Sequence, residues 1–478
     1  MIRKVIKGRL GETRAPWVLA LLGVMIFSAP YKVCAGQAAN SHQDEYNKRD
    51  HRYKQDPGSP LQMSLQSHKP QQTQASQPPA QNSLPPALRE KAIRYSHMQY
   101  VLYFGGVSLE LAIYAALWLC GFGEWLCRLA ARASTRLFVR CLIFIPIFWM
   151  LASVIAFPLD FYGGYVVERR FGLSTQGFAS WMGDWGKMLA LSAVAAIIVA
   201  WILYRVIRAS PRRWWLWFWI ITLPLALFVM FGEPYVVEPL FYKYVPLAQT
   251  EPALTGRIEA MLHRAGVRIP PSRIFEMNAS SKTRALNAYV SGLGASKRVV
   301  VWDTTLKEMT QDETLVMLAH EVGHYVLHHG VKEFALDEII ALVVFFVGFW
   351  VVTGSVRRWG AQTGIEDVGD LSSFPLLMLV LTLAIFLLSP AYCAVSRHYE
   401  HQADKYGLEL SYDVVPNPNA AMVRSFEILG KDDLADPSPS PFIKFWLFTH
   451  PPLAERIRFA ETYHPWTERK PMKLLGKG

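Results

Sequence analysis

Long apolar runs alternate with polar stretches along this chain. Each of six runs approaches the length that crosses the hydrocarbon core of a membrane. They cover residues 99–122, 140–158, 188–204, 214–232, 337–353 and 373–395. Polar regions follow the fourth run, at 233–336, and the sixth, at 396–478. The pattern predicts a mainly α fold, a polytopic membrane helix bundle with two segments outside the membrane.

The first 90 residues differ from the rest. An apolar run from Trp17 to Ala29 follows several basic residues and precedes Val33-Cys34-Ala35, which fits either a signal peptide cleaved after Ala35 or a retained signal anchor. The next stretch is rich in Gln, Ser and Pro and predicts a disordered spacer. We therefore expect a signal segment at 1–36, a spacer at 37–90, an N-terminal membrane domain at 91–232, and a C-terminal domain at 233–478 that is interrupted by transmembrane helices at 337–353 and 373–395.

Short patterns in the first polar region predict mixed structure. Residues Leu254 to Ala265 have the spacing of an amphipathic helix. Three short runs of β type follow, with Gly292-Leu293-Gly294 as a turn between the last two; they are Arg273–Met277, Ala288–Val290 and Arg298–Trp302. The sequence therefore predicts a small β-sheet inside a helical protein.

The charge distribution argues against nucleic acid as a partner. The 478 residues carry a formal net charge of +11, yet only 18% of them are charged. Arginines are concentrated in three short loops between apolar runs, which the positive-inside rule places in the cytoplasm; they are Arg128, Arg132, Arg136 and Arg140, then Arg205, Arg208, Arg212 and Arg213, then Arg357 and Arg358. The five cysteines lack paired spacing, so neither a disulfide framework nor a cysteine zinc site is predicted.

The stretch His320-Glu321-Val322-Gly323-His324 carries the candidate chemistry. Two imidazoles four residues apart on a helix can reach one Zn²⁺, and Glu321 can take a proton from the water that the ion binds. Thr310 and Glu313 fit a capping box at the start of this helix, and residues 328–330 fit its end. The alternative is a structural helix with a chance pair of histidines.

A catalytic zinc with two histidines and a water needs one more protein ligand. The residue six positions after His324 is Gly330, so the form with a third histidine there is absent. The better candidate is Glu400, with Asp404 one helical turn further on. The rival ligands, His398 and His401, would point to other faces of the same helix.

These residues, with several separated motifs, resemble the CAAX prenyl protease 1 family of integral-membrane zinc endopeptidases. The resemblance runs from about Phe157 to Phe459. The motifs occur in the family's order, with the zinc helix among them; the others are Val167–Leu173, Glu238–Phe241 through Pro246-Leu247, Asn287-Ala288-Tyr289 with Gly292, Ser396-Arg397 through Glu400 to Ala403-Asp404, and His450–Ile457. The resemblance implies a membrane helix bundle that encloses a chamber, joined to a gluzincin-type metallopeptidase domain, here residues 233–478.

By that resemblance one Zn²⁺ per chain binds His320, His324 and Glu400, while Glu321 activates the water. Asp404 is the family's proton donor, although orienting a zinc-bound histidine is an equal physical possibility. His450 is expected to stabilise the developing oxyanion, the alternative being a structural histidine that caps the next turn. Residues 287–289 resemble the family's edge strand, to which a peptide substrate would add; an ordinary packed strand is the alternative.

The basic loops also predict sidedness. With the N-terminus inside, 233–336 and 396–478 both lie on the outer side. The signal-like start and the polar spacer favour a bacterial source, and hence an inner-membrane enzyme that opens to the periplasm. Its expected partners are a peptide or protein substrate and membrane lipid. Alternatives are an HtpX-like quality-control protease and a non-catalytic membrane scaffold that keeps the fold.

Overall fold

The computed structural model describes residues 85–292, 296–432 and 434–475. The predicted signal segment and nearly all of the predicted spacer lie outside these residues, as does part of the predicted turn at 292–294. The first helix of the described residues begins at Pro86. It therefore starts inside the predicted spacer, because Pro at the first helical position and the helix-forming stretch after it initiate a helix there.

Most of the described chain is helical. Labels follow chain order, and helices of four residues or fewer are left unnumbered. The N-terminal half contains α1 (Pro86–Leu119), α2 (Phe122–Ala133), α3 (Leu137–Phe161), α4 (Phe178–Ala209) and α5 (Trp214–Val236). A π-helical turn, Tyr162–Val167, and one short turn, Glu168–Arg170, extend α3.

The C-terminal half mixes helices with short strands. Its strands are β1 (Tyr244–Pro246), β2 (Ile274–Met277), β3 (Ala288–Ser291) and β4 (Arg298–Trp302). Its helices are α6 (Pro252–Arg264), α7 (Asp303–Glu308), α8 (Gln311–Val326), α9 (His329–Thr363), α10 (Phe374–Ser411), α11 (Pro418–Asp432), α12 (Pro441–Leu447) and α13 (Leu453–Thr462). The predicted amphipathic helix corresponds to α6 and the three predicted strands to β2, β3 and β4; the sequence did not reveal β1.

Five helices in the described chain are long and apolar enough to cross a membrane. Each overlaps one of five predicted runs and extends beyond it, although the run 99–122 continues three residues past the end of α1 at Leu119. The remaining run, 214–232, coincides with α5, whose apolar part Trp214–Leu227 is shorter than a full span. The prediction of a polytopic membrane bundle is confirmed.

The six long helices close into a ring. Each packs against the next in the order α1, α3, α4, α5, α9, α10 and back to α1. An aromatic core fills one end of the ring, where Phe148 stacks on Tyr114 and meets Phe374 edge-on. The interior also buries acids, among them Glu110 and Asp160. An acidic side chain that faces lipid costs free energy, so acids within apolar spans face the interior of the ring.

The basic loops gather at the end that this core fills. The Arg208 Nε donates to the Gly369 carbonyl at 2.8 Å, and the Arg208 guanidinium lies 3.6 Å from Asp370. At the opposite end the membrane helices contact the C-terminal half. There the Thr175 hydroxyl donates to the Ser280 carbonyl at 3.1 Å. One end of the ring therefore carries the basic loops, and the other end contacts the C-terminal half of the chain.

The sheet has four strands in the described residues, in the order β1-β2-β4-β3. The outer pairs, β1 with β2 and β3 with β4, are antiparallel, whereas β2 and β4 are parallel. Strand β3 is an edge strand and packs near α8. The sheet thus brings one strand edge next to the helix that carries the two histidines.

Candidate metal site

Two glycines allow α8 and α10 to cross very closely. A Cβ atom on Gly407 would lie 3.0 Å from the His320 backbone nitrogen. One on Gly323 would lie 3.1 Å from the Tyr406 Cβ and 3.3 Å from the Ala403 Cα. The Thr310 and Glu313 capping box predicted from the sequence begins α8. Close approach at this crossing brings one face of α10 against the histidines of α8.

The crossing places three potential ligands together. His320 Nε2 lies 3.2 Å from His324 Nε2 and 3.3 Å from Glu400 Oε2. His324 Nε2 lies 3.3 Å from Glu400 Oε1. Two ligand atoms bound to a tetrahedral zinc at about 2.05 Å stand about 3.3 Å apart. Within the described residues these are the three side chains that could hold one metal ion.

The surroundings of Glu400 suit a cation. Its side chain is fully buried, and neither carboxylate oxygen has a well-formed hydrogen bond within the part of the chain that the structure describes. A buried carboxylate needs a compensating positive charge. Burial opposes the charged form of His320, yet its hydrogen bond to Asp404 and the negative charges of Glu400 and Asp404 raise its pKa to about 10. The site has the negative potential that a divalent cation neutralises.

Asp404 contacts His320 from behind. Its Oδ1 lies 2.9 Å from His320 Nδ1, on the side of the ring away from the other two ligands. Arg456 grips the same carboxylate with two hydrogen bonds, at 2.6 and 2.9 Å. An Nδ1–H that donates to Asp404 leaves Nε2 without a proton, as a metal ligand requires. This geometry places Asp404 and Arg456 where they can orient His320.

His329 contacts His324 as Asp404 contacts His320, whereas its sequence pattern predicts only a helix end. The two Nδ1 atoms are 3.2 Å apart, and His329 Nε2 lies 3.0 Å from Gln402 Oε1. Gln402 Nε2 in turn lies 2.9 Å from His398 Nε2. Nothing in the local sequence reveals this contact, because it depends on the abrupt joint between α8 and α9, where His328 has a φ of 57°.

The rival ligands lie elsewhere. His398 is exposed and forms the outer end of the contact chain through Gln402. His401 is also exposed, and its ring packs against Phe459 at 4.6 Å. Both point away from the paired histidines because only every third or fourth residue of α10 faces α8.

Glu321 and His450 flank the cluster. Glu321 is buried beside His320 on α8. His450 precedes α13, and its Nε2 lies 3.3 Å from Glu400 Oε2 while its Nδ1 contacts the Thr449 hydroxyl at 2.9 Å. The His450 side chain remains 23% exposed, so it can reach a molecule that enters from outside.

The pairing of β3, the predicted edge strand, shows which of its backbone groups face the open edge of the sheet. The Asn287 carbonyl accepts a hydrogen bond from the Trp302 N–H, so its backbone faces β4 and α7. Ala288 lies opposite Val301 in a pair that exchanges no hydrogen bonds with β4. The N–H and C=O of Ala288 therefore face the open edge of the sheet. The Tyr289 hydroxyl bonds the buried carboxylate of Glu238, so this side chain supports the strand.

Arg298 completes that support. Its guanidinium lies 2.7 Å from Glu238 Oε2, and its Nε donates to the Ser291 hydroxyl at 3.0 Å. The Tyr244 hydroxyl donates to the same glutamate at 2.6 Å. Because the cluster joins β1, β3 and β4, it holds the edge strand firmly.

Comparison with known proteins accounts for both halves of the chain. Residues 248–464 match the model of peptidase family M48, and residues 66–243 match the CAAX prenyl protease N-terminal model, described as five membrane helices. The metalloprotease YhfN of Bacillus subtilis, described as uncharacterized, is 32% identical over 370 residues, which are 77% of this chain and 84% of the relative.

Relatives with lower sequence identity match a similar share of the chain. A CAAX prenyl protease 1 homolog of Arabidopsis thaliana is 27% identical, with 77% of this chain and 86% of the relative covered. The crystal structure of S. mikatae Ste24p superposes with a TM-score of 0.70 at 22% identity, covering 81% of this chain and 91% of that one. The chain belongs to peptidase family M48 and is a multi-pass integral-membrane metalloendopeptidase.

Proposed function

We propose that the enzyme holds one Zn²⁺ per chain with His320, His324 and Glu400 and hydrolyses peptide bonds beside it. The observation that carries this proposal is the convergence of three ligand atoms from α8 and α10 within 4.8 Å of one another. Two imidazoles and a carboxylate form a donor set that catalytic zinc sites use. Bound zinc supplies a water acidified to near neutral pH and polarises the scissile carbonyl.

The protein supplies the proton transfers and the positioning. The Glu321 carboxylate accepts the proton of the attacking water and can return it to the leaving amine. His450 Nε2 donates a hydrogen bond to the oxygen on which negative charge develops. An extended peptide adds to β3 through the N–H and C=O of Ala288, with Asn287 and Tyr289 fixing the strand.

Metal removal tests the zinc assignment directly. Treating the purified protein with a zinc chelator should abolish peptide hydrolysis, and adding back about one equivalent of Zn²⁺ should restore it. Elemental analysis alongside the peptidase assay measures both quantities. Hydrolysis that persists in protein shown to be free of metal would refute the proposal.

For Asp404 we propose the orienting role. The substitution Asp404→Asn keeps the size of the side chain but removes the charge that holds His320 and pairs with Arg456. Zinc affinity should fall about 10- to 100-fold, the usual cost of losing such a partner. Competition with a calibrated chelator measures it. A proton donor would instead show a lower kcat with unchanged zinc affinity, which would contradict this assignment.

The substrate is a peptide or protein segment presented in extended form. Relatives carry the name CAAX prenyl protease 1, and the match of residues 66–243 to the N-terminal model supports that group over shorter HtpX-like proteases. The bacterial relative supports a bacterial source. Trapping with the inactive Glu321→Gln enzyme, followed by mass spectrometry, identifies the physiological substrates.

We also propose that the site faces the periplasm from a bacterial inner membrane. The basic loops meet at one end of the helix ring, and the metal-site helices extend from the other. Positive charge favours the cytoplasmic side, so the site belongs to the outer one. A C-terminal alkaline phosphatase fusion should be active and a C-terminal green fluorescent protein fusion dark. The reverse pattern would overturn this orientation.

A further inference from the structure

The short helix α12, which ends three residues before His450, exposes aromatic side chains. Phe442 and Phe445 are 56% and 51% exposed on its outer face. On its inner face Trp446 lies 4.9 Å from the ring of Phe386 in α10. Phe442 also stacks on Phe104 of α1 at 5.9 Å. Together these form an aromatic patch, defined by Phe104, Phe386, Phe442, Phe445 and Trp446, across three helices.

The positions of Phe104 and Phe386 along their spanning helices put the part of the patch that these helices form within the thickness of a bilayer. Phe104 stands about 22 Å along α1 from Leu119, and Phe386 about 18 Å along α10 from Phe374, at a rise of 1.5 Å per residue. Both distances are measured from the basic end of the ring. They are shorter than the thickness of a hydrocarbon core, about 30 Å, so both residues lie within it. The patch therefore continues the lipid-facing surface of the spanning helices.

The charge of α12 lies on its other side. Lys444, the helix's charged residue, pairs with Glu455 of α13 at 2.5 Å. It thus points toward the peptidase domain while Phe442 and Phe445 point away from it. Such a division of apolar and charged faces is typical of helices that lie in the membrane interface.

The same helix is tied to the metal site. Arg397 of α10 donates to the carbonyls of Lys444 and Phe448, at 3.0 and 2.6 Å. The chain then runs directly to His450, whose Nε2 lies 3.3 Å from Glu400. The position of α12 consequently sets where the segment with His450 begins.

We propose that α12 lies in the outer leaflet, with Phe442 and Phe445 among lipid acyl chains, and that the bilayer thereby holds His450 at the metal site. The second half rests on the proposed role of His450 in catalysis. The occupant of the patch is bilayer lipid, because the patch is continuous with the spanning surface and lies at the depth of its hydrocarbon.

A label at Phe445 tests the location without any reference to catalysis. The variant Phe445→Cys, in protein with Cys34 and Cys120 replaced by Ser, carries an environment-sensitive fluorophore in lipid nanodiscs. Spin-labelled lipid should quench it and aqueous iodide should not. Val347→Cys in α9 is the matched lipid-facing control, and Glu461→Cys in α13 the aqueous one. Quenching by iodide as at Glu461 would overturn the proposal.

Activity tests the coupling to His450. The pair Phe442→Ser and Phe445→Ser should lower kcat about 10-fold in nanodiscs, with KM and zinc content unchanged, whereas Phe442→Leu with Phe445→Leu should remain near wild type. The loss should be equal for a peptide with and without an attached lipid chain. A loss confined to the lipid-bearing peptide would make the patch a substrate subsite and overturn the proposal, and full activity of the serine pair would refute the coupling. If no wild-type hydrolysis is found, the proposed function fails, while the label still decides the location.

Discussion

Replacing Glu321 with glutamine should lower kcat by roughly 1000-fold and leave zinc bound, since a positioned general base contributes on the order of 100- to 10,000-fold. Glutamine has the same shape as glutamate but cannot accept the proton. His320, His324 and Glu400, which form the metal cluster, are untouched by the change. Steady-state kinetics with a quenched fluorescent peptide and elemental analysis of the same sample measure the two effects.

The control for this prediction is Glu308→Gln. Glu308 is exposed at the end of α7 and lies outside the metal cluster. Its substitution makes the same chemical change and should leave kcat near the wild-type value. Unchanged hydrolysis by the Glu321→Gln protein would remove the enzyme mechanism proposed for this site and would favour a scaffold that keeps the fold.

The second large effect is expected for Glu400→Ala. Removing this carboxylate leaves two histidine ligands and takes the negative charge from the centre of the site, so zinc affinity should fall by at least about 100-fold, more than for an orienting residue. Peptide hydrolysis should be lost with it. Zinc should also stop stabilising the fold, whereas at a zinc concentration of 100 Kd the wild type gains about 2.7 kcal/mol.

His401→Ala is the matched control. His401 follows Glu400 in α10, but its ring faces Phe459 instead of the histidines of α8. Its zinc affinity and its zinc-dependent rise in Tm should equal those of the wild type. Thermal melts with and without added Zn²⁺ compare all three proteins. Zinc binding that survives Glu400→Ala but not His401→Ala would reverse the assignment of the third ligand.

The strongest local patterns in the sequence correspond to observed elements. The capping box at Thr310 and Glu313 begins α8 as expected, because a cap depends on residues three apart in the chain. Strand β4 covers the predicted residues, Arg298 to Trp302. The membrane runs were found but underestimated, since hydropathy detects only the lipid-facing part of a helix that continues into a soluble domain.

Local sequence patterns do not predict contacts between segments that are distant in the chain. Glu400 could be named as a candidate, but its distances to His320 and His324 depend on a helix crossing that Gly323 and Gly407 permit. His329 resembled a helix end, and nothing in its local sequence placed it against His324. The short strand β1 escaped notice because three residues carry almost no periodicity.

The sequence by itself determined the membrane character, the helix with its two histidines and the basic side of the protein, because each depends on composition or on spacing within one segment. Only the tertiary structure decided which face of α10 meets α8, which backbone groups of β3 remain open at Ala288 and where α12 lies. These depend on packing between segments tens to hundreds of residues apart, and no local spacing encodes that packing.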